Sequence, residues 1–150
     1  MRTFALRPAV EEDRNEIAAL WHASASLPDV GPALMPTQAE MLERVDLELA
    51  DGWNVTVAAD DSRLIGFVAL KPKEAMLNQL FVHPGSLGLG VGRALLAHAA
   101  GVMPDGFTLF TRSANGKARR FYEKEGMVYI GDGLHPRTGD PITHYGWNVR

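Results

Sequence analysis

One run limits what this chain can become: NQLFVHPGSLGLGVGRALLAHA, residues 78–99. Apolar residues up to Val82 read as the end of a strand, His83-Pro84 stops it, and Arg93 to Ala100 reads as helix. Gly88, Gly90 and Gly92 lie between the two. A glycine loop that opens a helix gathers unpaired backbone N–H groups around one point, where the helix dipole adds partial positive charge. Such a loop binds phosphate, because glycines carry no Cβ to hold the anion away. The same loop also fits a plain chain reversal with close packing, so the rest of the chain must decide.

The flanking segments imply a sheet with helices on both faces. Thr3 to Arg7 suggests a first strand closed by Pro8. Glu11, Glu12 and Asp13 suit a helix start, and Ile17, Leu20 and Trp21 share one stripe of a helix running to about Ala23. The segment LPDVGPALMP, residues 27–36, reads as an irregular apolar loop of the kind that covers ligands. Thr37 with Glu40 forms a capping box for a second helix whose inner face carries Met41, Val45 and Leu49. Trp53–Ala59 and Leu64–Leu70 read as a hairpin around 60–62, and Ala75–Val82 as its third strand. After the glycine loop and its helix come a strand at Gly106–Thr111, a helix at Lys117–Glu125 and strands at Met127–Gly131 and Ile142–Val149. Asp132 to Pro141 reads as a polar connection.

The 150 residues suit a single domain spanning 1–150. Cysteine is absent, which excludes disulfides, thiolate metal sites and cysteine nucleophiles. No secretory pattern opens the sequence, and the longest apolar helix candidate, Val91–Met103, falls well short of the roughly 20 residues a bilayer requires. The expected setting is cytoplasmic, with no membrane partner. Net charge is −3 with the signs interspersed, which speaks against a nucleic-acid partner. Lys117, Arg119, Arg120 and Lys124 read as a solvated helix face. Histidines 22, 83, 98, 135 and 144 lack ligand spacing, so no metal is expected.

Dinucleotide loops require G-x-G-x-x-G, whose third glycine is Arg93 here, and they usually follow the first strand. Residues 78–99 instead resemble the coenzyme-binding strand, loop and helix of the GNAT superfamily of N-acetyltransferases, with pattern Q/R-x-x-G-x-G/A. Gly90 and Gly92 match, while Leu87 stands at the opening Gln or Arg position. SANGKARRFYEKEGM resembles a second family motif, N-x-x-A-x-x-F-Y-x-x-x-G-F, through Asn115, Ala118, Phe121, Tyr122 and Gly126.

The resemblance implies an α/β fold: a mixed, mostly antiparallel central sheet of about seven strands flanked by about four helices. It implies acetyl-CoA as co-substrate, its pantetheine arm paired with the backbone of Leu80, Phe81 and Val82, and its pyrophosphate on Gly88, Leu89, Gly90, Val91, Gly92 and Arg93. Asn115 would bond the pantetheine or cap a helix. Tyr122 would protonate the leaving sulfur, and a backbone N–H of Phe81 or Val82 would steady the carbonyl oxygen. The acceptor, a primary amine most simply of a small molecule and alternatively of a protein or peptide, would lie in a cleft formed by the 27–36 loop, Trp21, His22 and the 131–145 segment, with Asn78 and His144 as further contacts. Candidates for a general base are Glu74, His83 and His144, because Asn78 stands where related proteins often carry an acid. The absence of an obvious base also admits an acyl-CoA-binding sensor without turnover. Homodimers built through the last strands are common among such proteins.

Overall fold

The computed structural model describes residues 4–61 and 63–149, so Thr3 and Ser62 of the expected first strand and hairpin turn lie outside the described residues. The elements are β1 (Ala5–Pro8), α1 (Arg14–Ala25), α2 (Gln38–Ala50), β2 (Asn54–Ala59), β3 (Leu64–Lys71), β4 (Met76–Val82), α3 (Val91–Val102), β5 (Phe107–Arg112), α4 (Gly116–Lys124), β6 (Val128–Leu134) and β7 (Pro141–Trp147). The strands form one seven-stranded sheet in the order β1-β2-β3-β4-β5-β7-β6. Every neighbouring pair is antiparallel except β4 and β5. The expected mixed, mostly antiparallel sheet with four helices is what forms.

Two apolar clusters hold the layers together. On one face Ile17, Leu20 and Trp21 of α1 and Met41 and Val45 of α2 pack on Val57, Phe67 and Ala69. On the other, Val91, Leu95 and Ala99, one turn apart along α3, pack with Tyr122 on Val68 and Leu70. Alternation along β3 thus feeds both cores, and seven of its eight residues are buried. Each fully buried Leu, Phe or Val contributes about 1.5–3 kcal/mol.

Some boundaries differ from those expected, for local reasons. Pro8 belongs to β1 rather than ending it, which an edge strand tolerates. Residues 11–13 form a separate 3-10 turn, and α1 starts at Arg14 and runs to Ala25. Asp13 is spent on an ion pair: its carboxylate accepts from both Nη atoms of Arg7 at 2.7 and 3.0 Å and from the N–H of Val10 at 2.8 Å. The capping box at the start of α2 forms as expected, with Glu40 N–H donating to Thr37 Oγ1 and Thr37 N–H to Glu40. β6 takes in residues 132–134 of the expected connection because they pair with β7 past an irregularity between Tyr129 and Gly131. β7 ends at Trp147, two residues early.

Arg7 and the Val10 N–H hold the Asp13 carboxyl below its ordinary pKa. Its contribution is full above the unfolded value of about 3.9 and is lost as pH falls through the lower folded value. Asp13→Ala should cost about 2 kcal/mol in urea unfolding at neutral pH, because three donors lose their acceptor, and the difference should shrink on acidification.

Candidate active site

The sheet opens between β4 and β5. β4 stays paired with β3 along its length, but β4 and β5 share only the pair Met76↔Thr108 before separating. A bulge in β4 marks the departure: Leu70 pairs with Leu77 and Ala69 with Gln79, leaving Asn78 as the extra residue. Bulges increase local twist and bend the strand that carries them. Backbone pairing then alternates. His83 N–H donates to Ile65 carbonyl at 2.8 Å, so Phe81 also addresses β3, while the N–H and C=O groups of Leu80 and Val82 turn toward the gap. Val82 carbonyl accepts from Ser24 Oγ at 3.2 Å, which ties this end of β4 to α1. Of the two candidate N–H groups named from the sequence, Val82 faces the opening and Phe81 does not.

Beyond β4 the chain makes a 3-10 turn at 84–86, where His83 Nδ1 accepts from Gly85 N–H at 3.0 Å. His83 is a turn residue. Gly88 and Gly90 have φ of +85° and +84°, a region other residues enter at a cost, and Gly90 caps α3 in that conformation. The first α3 bond runs from Ala94 N–H to Gly90 carbonyl, so the N–H groups of Val91, Gly92 and Arg93 have no intrahelical acceptor. A Cβ on Gly92 would stand 3.3 Å from the Phe121 ring, so this glycine also lets α3 approach α4. The Arg93 side chain is 79% exposed and makes a 3.4 Å ion pair with Glu125. Such a pair contributes little.

On the other side of the opening a cavity of about 500 Å3 lies between the 30–36 loop, α2, β4, β5 and the turn at 135–138. Trp21, Asn78, Leu80, Phe81, Asn115 and Tyr122 line it. His22 and His144 do not; His144 sits behind Phe110, 5.7 Å between ring centres. Trp21 is largely a core residue, packed on Trp53 at 5.8 Å and Phe81 at 6.4 Å. Asn78 Oδ1 accepts from Trp53 Nε1 at 2.8 Å, and Asn115 Oδ1 caps α4 through Ala118 N–H at 3.1 Å. Both amides therefore have structural partners while bordering the cavity.

Tyr122 is 7% exposed and lies against Phe121 and Tyr145. Among the described residues nothing hydrogen-bonds its hydroxyl, and burial pushes the phenol pKa well up, so it stays protonated. None of the base candidates Glu74, His83 and His144 lines the cavity. His135 does, a residue that sequence reasoning passed over. Its Nδ1 accepts from the N–H groups of Arg137 and Thr138, and desolvation with Arg112 and Arg137 lowers its pKa. Protonating Nδ1 would break those bonds, so His135 is a neutral donor through Nε2 rather than a base. Arg44, Arg112 and Arg137 were also missed. Among the described residues no group of three or more His, Asp or Glu could hold a metal ion, and no helix is long and apolar enough to cross a membrane.

A mostly antiparallel sheet whose parallel pair parts beside a glycine loop is the architecture of N-acetyltransferases. The family described as Acetyltransferase (GNAT) domain matches residues 51–127. Over 128 residues, 85% of this chain and 84% of the relative, the sequence is 30% identical to the peptidyl-lysine N-acetyltransferase YjaB of Escherichia coli. A GCN5-related N-acetyltransferase from Rhodopseudomonas palustris superimposes with TM-score 0.80 at 22% identity, covering 99% of this chain and 98% of that one. An acetyltransferase from Salmonella typhimurium, YncA with its cofactor acetyl-CoA, gives 0.73 at 15% identity, covering 97% and 94%. The chain belongs to the GNAT superfamily and is an acetyl-CoA-dependent N-acetyltransferase.

Asn78 joins the bulge to the buried indole of Trp53. Replacing it with Leu should destabilise the protein by about 1–3 kcal/mol in urea unfolding, since the indole N–H loses its acceptor. Unchanged stability would show that this bond does not support the site.

Proposed function

We propose that this single-domain enzyme transfers the acetyl group to the primary amine of a small molecule, by direct attack within a ternary complex. The observation that carries the reading is the parting of β4 and β5 beside the open N–H groups of α3. Acetyl-CoA supplies an activated acyl group on a thiol leaving group. Leu80 and Val82 hold its pantetheine arm by backbone bonds, as an added strand would be held. The N–H groups from Gly88 to Arg93 take the pyrophosphate, and Arg93, exposed and weakly paired, is free to swing toward it. Asn115 keeps its carboxamide nitrogen for the arm while its oxygen caps α4.

Val82 N–H steadies the carbonyl oxygen as charge builds there. Tyr122 gives its phenolic proton to sulfur as the C–S bond breaks and the C–N bond forms, and the proton shed by the amine returns through water. With Glu40 engaged in the cap of α2, Glu43 exposed and His135 Nδ1 accepting from two N–H groups, the amine reacts from its unprotonated fraction. The setting is cytoplasmic, where acetyl-CoA is supplied, and no metal takes part. A second reading, a lysine side chain of a protein as acceptor, is favoured by the name of the 30%-identical relative.

Thiol release measured with small amines and with a lysine peptide separates the two acceptors. Tyr122→Phe should lower kcat by about 100-fold or more while calorimetric acetyl-CoA affinity changes less than about threefold. Because the buried phenol keeps its proton, kcat/KM should rise as the amine deprotonates and show no decline below about pH 10. A decline beginning near about pH 8.5, or full activity in Tyr122→Phe, would retire the acid role.

A further inference from the structure

The far wall of the acceptor cavity is more cationic than an enzyme for a bare amine requires. Arg44 of α2, Arg112 at the end of β5 and Arg137 in the β6–β7 turn all line it. These arginines are not equally neutralised. Arg112 is held by Asp140, Nε to Oδ2 at 3.1 Å, and by Val30 carbonyl at 3.4 Å, so it braces the loop and the turn. Among the described residues Arg44 reaches only Glu48, at 3.3 Å, and that carboxylate is shared with Lys71 at 3.4 Å. Arg44 Nε is buried with no hydrogen-bond partner among the described residues. Arg137 has no carboxylate within ion-pair distance among them.

The neighbouring carboxylates do not cancel this excess. Glu40 lines the cavity, but its Oε1 is engaged by Thr37 N–H in the cap of α2, and Glu43 is exposed at the rim. Desolvation and the positive charges of Arg44 and Arg112 pull the Arg137 pKa down against the opposing pull of the Glu48 carboxylate. An orphaned buried guanidinium N–H is costly unless something accepts it. Guanidinium forks match the oxygens of carboxylates and phosphonates.

We infer that Arg44 and Arg137 form an oxyanion-recognising end of the acceptor site, so that the substrate is a small primary amine carrying a carboxylate or a related oxyanion. This rests on the assignment of the cavity as the acceptor site. The amine lies toward Tyr122 and the anionic group toward α2 and the 135–138 turn. A lysine side chain with no acid beside it would leave Arg137 without a carboxylate and Arg44 with only its share of Glu48.

The test compares 4-aminobutyrate, 3-aminopropylphosphonate and n-butylamine in thiol release, using the wild type, Arg44→Gln and Arg137→Gln. Arg137 lies on an exposed turn, and melting temperatures check that both variants fold. The anionic amines should exceed n-butylamine in kcat/KM by about 10-fold or more, and the ratio should fall toward one in either variant. The relative rates of the two anionic amines tell carboxylate from phosphonate. Equal or better turnover of n-butylamine or of a neutral lysine peptide, or a ratio that survives both substitutions, overturns the inference. Calorimetry with butyrate and propylphosphonate, which lack the amine, separates this inference from the assignment of turnover. Heat that disappears in Arg137→Gln supports the anion site even without turnover, and absence of heat in the wild type overturns it.

Discussion

A sheet leaves backbone donors and acceptors unpaired in its interior only where another partner can take them. In this protein that place is the gap between β4 and β5, with Leu80 and Val82 turned toward it. The rest of the site follows from that geometry. The bulge at Asn78 bends β4 away, the loop at 88–90 delivers α3 with its first N–H groups open, and α4 brings Tyr122 to the edge of the opening. In the proposed reading the coenzyme is the missing strand, and its thioester is thereby aimed at the phenol.

Such an opening stands only on a stiff frame. α1 and α2 close one face over Phe67 and Trp53, and α3 closes the other through Val91, Leu95 and Ala99. Side chains on the site side of β4 also serve this frame, as Phe81 packs on Trp21 and Phe67 and Asn78 accepts from Trp53. Polar groups at the gap thus keep their positions without a ligand to order them.

The fold was largely legible in the sequence because its signals were local. The β-branched and aromatic runs of β2 and β3, the Thr37 and Glu40 capping box, and the glycines before α3 each report on a few neighbouring residues. The coenzyme side of the site was legible for the same reason, since strand, loop and helix are contiguous. The acceptor side was legible as segments, the 27–36 loop and residues 131–145, but not as side chains. Arg44, Arg112, and the pair His135 and Arg137 come from a helix, a strand and a turn far apart in the chain, and each looks like ordinary surface until the sheet brings it to one cavity. His144 and His22 were named for their chemistry, but neither lines the cavity; His144 shares a face of the sheet with its cross-strand partner Phe110, which lines it instead. Along β4 the one-residue bulge at Asn78 resets which side chains share a face, and no periodicity announces it.

Hydrogen exchange at individual backbone amides probes the gap most directly. On saturation with acetyl-CoA, the N–H groups of Leu80 and Val82 should slow markedly, while that of Phe81, already addressed to β3, should change little. Unchanged exchange at both Leu80 and Val82 in the saturated protein would mean that the coenzyme does not complete this sheet.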